Sequence, residues 1–209
     1  AFLRYVPCED GERELDGIKY KKLDSYEAYR YIKTHHPDYL FEWNVENKKM
    51  MGVLKDDVEE ILSPIDKLDE IRNSTNESRL YCKIRLLSNI FHTEAGIPFD
   101  ILGVTCSTLL SLQNDPTSDI DFIVFGQENH RKAIELYSRM KNDPKSPLEK
   151  ISGDYWRQVY EKRIKDDSMT LDEFIWYESR KNNRGIIDGT LFDILFTKNI
   201  DEIGKEDEI

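Results

Sequence analysis

The sequence predicts an α+β fold: a mixed sheet with helices packed on one side, preceded by a small α+β N-terminal unit. Short apolar runs of strand length, at 99–104, 120–125 and 191–197, alternate with longer stretches of helical periodicity. Asp10-Gly11, Asp16-Gly17 and Asp188-Gly189 supply turn chemistry beside strand candidates near both ends of the chain. The polar run Asn73-Ser74-Thr75-Asn76 makes a boundary. Residues 1–72 are therefore expected as the N-terminal unit, 73–200 as the main domain and 201–209 as an acidic tail.

In the N-terminal unit, Phe2–Pro7 and Ile18–Leu23 read as strands. Asp24 opens a helix, and Glu27 stands at the reciprocal position of a capping box. Tyr39–Val45 and Met50–Leu54 pair as a hairpin around Glu46-Asn47. Short helices follow, with Pro64 near the start of the second and Ile61, Ile65 and Leu68 as their apolar face.

In the main domain, Leu80, Ile84, Leu87 and Phe91 fall on one face of a helix that Gly96 and Pro98 end. Then come a strand at Phe99–Val104, a helix at Thr105–Leu112, a polar loop at Asn114–Ser118 and a buried strand at Ile120–Phe125. Three helices are expected next. Ala133, Leu136, Tyr137 and Met140 pattern the first; Leu148, Ile151, Tyr155 and Val159 pattern the second, which Gly153 weakens. Thr170 and Glu173 cap the third reciprocally. A hairpin turning at Asp188-Gly189 then leads into the strand Leu191–Thr197. Trp156, Tyr160 and Trp176 stand at helical spacing and read as core, with base-stacking surfaces as the other reading.

With 209 residues the chain suffices for one large or two modest domains, and 39% hydrophobic against 34% charged residues describes a highly charged one. No apolar run reaches the length of a membrane span and no leader resembles a signal peptide, so no membrane partner is expected. The chain begins at Ala1 with a strand-like run, as a piece of a longer protein would. Three widely spaced cysteines, Cys8, Cys82 and Cys106, argue against a disulfide framework and for a reducing cytoplasm. The four histidines form no ligand spacing with them, and His35-His36-Pro37-Asp38 reads as a surface turn. A net charge of −11 disfavours a broad grip on nucleic acid, which needs a basic face.

Chemistry concentrates in two segments. Gly103-Val104-Thr105-Cys106-Ser107 spans a strand-to-helix junction, where unpaired backbone N–H groups and the helix dipole suit phosphate. Ser118-Asp119-Ile120-Asp121 follows, and residues two apart in a strand face the same side. Asp119 and Asp121 would stand about 7 Å apart at Cα, a repulsive pair that a divalent cation would put to use. Asp193, flanked by Phe192 and Ile194, needs a metal or a hydrogen-bond partner if buried; an edge-strand aspartate facing water is its bland reading.

The order Gly, Ser at a helix start, about a dozen residues, then Asp-hydrophobic-Asp in a strand resembles the polymerase-beta-like nucleotidyltransferase superfamily. More closely, ILGVTCSTLLSLQNDPTSDIDFIVFG resembles predicted nucleotidyltransferases found mainly in archaea. FLRYVP, GIKYKKL, SPIDKL and MTLDEFIWYESRKNNRGIIDGTLFDILFTK look like further matching segments. The resemblance implies a nucleotidyltransferase-type sheet carrying a third carboxylate on a neighbouring strand. Asp193 is the candidate; Asp188, its rival, suits the hairpin turn better.

The resemblance further implies two Mg²⁺ or Mn²⁺ ions about 3.5–4 Å apart on Asp119, Asp121 and Asp193. Asp193 is expected to accept the proton of the attacking hydroxyl, and pyrophosphate to leave. Gly103, Thr105, Cys106 and Ser107 would cradle the triphosphate. Arg180, Lys181 and Arg184, with Glu178 beside them, would either contact phosphate or simply complement a helix C-terminus. One departure stands out: the family has glycine immediately before the serine, where this chain has Cys106.

The implied function is metal-dependent transfer of a nucleoside monophosphate from a nucleoside triphosphate to a hydroxyl on RNA, protein or a small molecule. The alternative is a weak or inactive module of the same fold that binds nucleotide or a partner. A metal-dependent nuclease would also use clustered carboxylates but leaves the Gly103–Ser107 segment without a role. A shared metal pair requires the three carboxylates to converge within about 4–5 Å, near Ser107.

Overall fold

The computed structural model describes residues 2–44 and 47–203, which divide into two compact units. The first runs to Leu62 and adds Ser111–Asn114; the second comprises Ser63–Leu110 and resumes at Asp115.

In the first unit, β1 (Tyr5–Pro7), β2 (Arg13–Leu15) and β3 (Ile18–Lys22) form an antiparallel sheet in the order β1-β3-β2. β2 was not expected, because three residues are too few to display a periodicity. Asp16 and Gly17, with φ of 51° and 78°, make the tight turn from β2 to β3. Helix α1 (Ser25–His35) starts on the expected capping box: Glu27 N–H donates to Asp24 Oδ1 at 2.8 Å, and Asp24 N–H donates to Glu27 Oε2 at 3.1 Å. β4 (Leu40–Trp43) and β5 (Lys48–Met51) form the hairpin. Val45 and Glu46, expected in its first strand and turn, lie outside the described residues. Val6, Leu23, Ala28, Ile32 and Met51 make this unit's core.

The second unit contains β6 (Leu102–Val104), β7 (Ile120–Phe125), β8 (Leu148–Glu149), β9 (Arg184–Ile187) and β10 (Thr190–Thr197). They form one mixed sheet in the order β6-β7-β10-β9-β8, with β7 and β10 parallel and every other pair antiparallel. Its helices are α2 (Pro64–Asn73), α3 (Arg79–Ala95), α4 (Cys106–Leu109), α5 (Gln127–Met140), α6 (Gly153–Arg163) and α7 (Leu171–Ser179). Ile120, Phe122 and Val124 alternate with half-buried residues along β7. With Phe192 and Ile194 of β10 they join Leu80, Ile84, Leu87 and Phe91 of α3 and Leu136 and Tyr137 of α5 in one core. The long helix and its four apolar positions are thus as expected, and Gly96 closes it in the left-handed conformation at φ 64°.

Several expectations need correction. The boundary falls after Leu62 rather than residue 72, because Leu68 and Ile71 of α2 are buried in the second unit's core. Ile61, expected on a helical apolar face, is 88% exposed. Helices cover both faces of the sheet, not one. Ile186 and Leu191 point away from Ile187 and Phe192 and pack against Ile151, Trp156 and Phe174, the core contributed with α6 and α7. The sheet's second face therefore has its own apolar residues to bury.

Local differences follow the same logic. Leu148 belongs to β8, not to a helix with Ile151; residues 99–101 form a 3₁₀ turn before β6; and α4 is only four residues long. Asp201 and Glu202, expected in a solvated tail, belong to the 3₁₀ turn Ile200–Glu202. The Glu202 carboxylate accepts from the first N–H of α5, at Gln127, at 2.9 and 3.2 Å. Residues 206–208 of the expected tail lie outside the described residues. Among the described residues no helix is long and apolar enough to cross a membrane, and Cys8, Cys82 and Cys106 form no disulfide.

Candidate functional site

β10 is the sheet's central strand, and Asp193 sits on it between the buried Phe192 and Ile194. Its register partner on one side is Asp121 of the parallel strand β7; on the other side it is Arg184 of the antiparallel strand β9. Neighbouring strands lie about 4.8 Å apart. Two carboxylates and a guanidinium thus line one row across three strands, on the face opposite Phe122 and Phe192. Asp119, one residue ahead of β7, is exposed, and Asp121 is half-buried. Period-two alternation puts both on the face the sequence predicts.

Asp193 is 8% exposed. A lone charge buried to that degree would cost several kcal/mol, on the order of the penalty for an unpaired buried ion. Arg184 meets it with both prongs: Nε donates to Oδ1, and Nη2 donates to Oδ2 at 2.6 Å. The sequence offers metal, hydrogen-bond partner or open solvent for Asp193, and the structure selects the hydrogen-bonded guanidinium. Burial pulls the Arg184 pKa down, but the bonds and charge of Asp193, helped by Tyr155 and Glu178, outweigh it and leave the net shift upward.

Tyr155 of α6 completes the cluster. Burial is the main cause of its raised pKa; Asp193 and Asp119 push it further up, while Arg184 and Arg163 pull it down. One phenol therefore lies within the electrostatic reach of two of the three expected carboxylates and of Arg184. Sequence reasoning missed it, since a tyrosine at helical spacing beside Ile151 and Val159 carries the same signal as a core residue.

Thr105 continues the ladder, its N–H donating to Asp121 O at 3.0 Å, and its side chain caps nothing. Cys106 has φ of 56°, the left-handed conformation that glycine adopts without strain. Ser107 is buried at 6% exposure. Beside it, Thr108 is 1% exposed, and its Oγ1 has no hydrogen-bond partner. Gly103 is already covered: a Cβ built there would meet Pro64 of α2 at 2.8 Å and Ile123 Cγ2 at 2.9 Å. Its missing side chain makes room for α2.

Arg180 lies over the Trp176 ring at 4.1 Å and the Tyr177 ring at 4.6 Å, and Lys181 is paired with Glu178. Arg184 is the cation paired with Asp193. Trp156 is core as expected, and Tyr160 is tied by its hydroxyl to Met169 O at 2.7 Å. Trp176, 57% exposed, is not core. Asp188 turns the β9–β10 hairpin at φ 45°.

Hard carboxylate oxygens suit Mg²⁺ or Mn²⁺, and Asp119, Asp121 and Asp193 share one face. Among the described residues, however, no three His, Cys, Asp or Glu side chains are arranged to hold an ion. The carboxylates fit a divalent cation by type and by strand position, but both oxygens of Asp193 are given to Arg184.

No family model matches the chain. An uncharacterized protein of Methanocaldococcus jannaschii is 42% identical over 216 aligned positions, which cover 99% of this chain. The chain spans 62% of that relative's length. No solved structure matches.

Proposed function

We propose that the second unit is a nucleotidyltransferase-type domain, which transfers a nucleoside monophosphate from a nucleoside triphosphate to an acceptor hydroxyl. In that reaction the acceptor oxygen bonds to the α-phosphorus, the α-phosphorus–oxygen bond to the leaving group breaks, and pyrophosphate departs. The observation that carries the reading is the pairing of Asp121 with Asp193 on adjacent parallel strands, with Asp119 two residues before Asp121. The left-handed backbone at Cys106, where the resembled family has glycine, supports the same alignment.

Asp119, Asp121 and Asp193 are the residues that would hold Mg²⁺ or Mn²⁺. A bound divalent cation supplies charge neutralisation for the triphosphate and lowers the pKa of a coordinated hydroxyl. Asp193 is the proton acceptor for the attacking hydroxyl once Arg184 releases it. Ser107 and Arg184 are the donors assigned to phosphate, and the reaction depends mainly on positioning and electrostatics.

A second reading has its own support. Arg184 donates to both oxygens of Asp193, and Cys106 puts a side chain where the family has none. Both features suit a module of this fold that binds nucleotide or a partner without turnover.

The test is label transfer. Wild type and Asp121→Asn are incubated with α-labelled nucleoside triphosphates, Mg²⁺ or Mn²⁺, and RNA, protein and small-molecule acceptors. Label carried over by wild type alone supports the transferase, and the labelled species names the acceptor. Metal-dependent nucleotide binding without transfer supports the non-catalytic module. Neither binding nor transfer by folded protein overturns both.

A further inference from the structure

We propose that the exposed face of α7 built from Trp176, Tyr177 and Arg180 is a docking surface for single-stranded RNA. An unpaired base stacks on the aromatic rings, and its phosphate is held by the guanidinium. The proposal goes beyond the nucleotidyl-transfer reading and holds equally for a transferase and for a non-catalytic module.

The sequence of α7 builds this face. Phe174 turns inward, buried at 4% exposure against Trp156. Trp176 and Tyr177 come next, 57% and 43% exposed. Arg180 follows them by four and three residues, the spacing at which helical side chains meet. The two rings contact edge to face at 4.8 Å, and Arg180 lies over both, at 4.1 and 4.6 Å. The three side chains therefore hold one another in place without a ligand, which lowers the entropy cost of binding one. Of the aromatics that the sequence offers for base stacking, Trp156 is core and the Tyr160 hydroxyl is tied to Met169. Trp176 is the exposed one.

Charge decides the class of ligand. Among the described residues none accepts a hydrogen bond from the Arg180 guanidinium or forms an ion pair with it. Stacking uses the face of a guanidinium and leaves its N–H edge for an anion. Next to it, Lys181 and Arg163 share the single carboxylate of Glu178. The surroundings do not repel a polyanion: from Gly153 to Arg184, seven Lys and Arg stand against seven Asp and Glu. The net charge of −11 is therefore carried by the rest of the chain. An acidic protein segment would satisfy Arg180 and leave the rings without a partner. A nucleotide supplies both halves, a flat base for the rings and a phosphate for the guanidinium. In a duplex the bases are stacked on one another, so an unpaired strand is the form that fits. The same end of α7 adjoins the Asp193 pair, since the charge of Glu178 acts on Arg184.

The experiment is fluorescence anisotropy of the whole chain with a labelled oligoadenylate about 12 nucleotides long, in EDTA and without nucleoside triphosphate. Wild type is expected to bind it, and to bind the same length of duplex RNA about tenfold more weakly. Trp176→Ala is expected to lose about tenfold in affinity, the size of one base–aromatic stack. Trp176→Phe keeps a ring and is expected to retain most of it. Arg180→Gln is expected to weaken binding and to lower the salt slope by about 0.7, one phosphate contact on a single strand. Arg180→Lys keeps the charge and is expected to keep that slope. All three side chains are exposed, so circular dichroism of the variants should match wild type. No RNA binding by wild type overturns the proposal, as does binding that Trp176→Ala and Arg180→Gln leave unchanged. Tighter binding of a carboxylate-rich peptide, lost in the same variants, assigns the face to a protein partner and overturns the RNA assignment. None of these outcomes decides label transfer at Asp121, which is read in a separate assay.

Discussion

Cys106 is a β-carbon-bearing residue at φ 56°, a conformation that costs an L-residue about 1–2 kcal/mol. Glycine would remove that cost and lose part of the gain to its greater unfolded-state entropy. Cys106→Gly is therefore expected to stabilise the protein by about 0.5–1 kcal/mol, read from the urea midpoint at unchanged slope. It also restores the residue the resembled family carries, so nucleotide affinity is expected to rise. A destabilised variant would mean that the contacts of the thiol outweigh the backbone strain. Asp193 and Arg184 make the complementary point. Each is identifiable from sequence as a candidate, but their mutual engagement exists only because the β9–β10 hairpin turns at Asp188-Gly189 and aligns the two positions.

The element that most changes the site is α2. Expected in the N-terminal unit, it packs instead on β6, with Pro64 against Gly103 and with Leu68 and Ile71 in the sheet's core. Gly103→Ala should then act through packing. The methyl would press on Pro64 and Ile123, for a loss of about 1–3 kcal/mol in chemical denaturation, with nucleotide affinity unchanged for the folded fraction. A drop in affinity at unchanged stability would return Gly103 to the phosphate cradle. Pro64 at the first turn, behind the Ser63 cap, is a start signal legible in sequence. Which sheet the helix joins is not, because an apolar stripe specifies burial without naming its partner.

Across the whole molecule, every residue from Val53 to Leu62 is exposed, and the compact units divide at Leu62. Exposed segments with few buried contacts are where proteases cut first. Limited digestion with a glutamate-specific protease is expected to cleave first at Glu59 or Glu60, leaving a resistant C-terminal fragment whose start mass spectrometry identifies. First cleavage at Glu135, inside α5 and between the buried Ala133 and Leu136, would contradict this reading. The distribution of charge also belongs to this scale. A chain of net charge −11 places the half-buried guanidinium of Arg184 against the buried Asp193, a pairing that composition alone would not suggest.

By itself the sequence determined what depends on neighbours in the chain. Both capping boxes, at Asp24–Glu27 and Thr170–Glu173, the four-residue apolar stripe of α3, the strand Ile120–Phe125 and the Asp188-Gly189 turn all follow from local periodicity and hydrogen-bond chemistry. Asp119 and Asp121 were legible as a pair through period-two alternation, and Asp193 as their third through the resemblance. The tertiary structure decided what depends on residues far apart. It put Asp193 beside Asp121, gave Asp193 to Arg184, brought Tyr155 into their field, covered Gly103 with Pro64 and turned α6 and α7 onto the second face of the sheet. The physical reason is common to all five. A buried charge or an apolar face fixes that a partner must exist, whereas the partner's identity is set by strand register and packing, which no local pattern records.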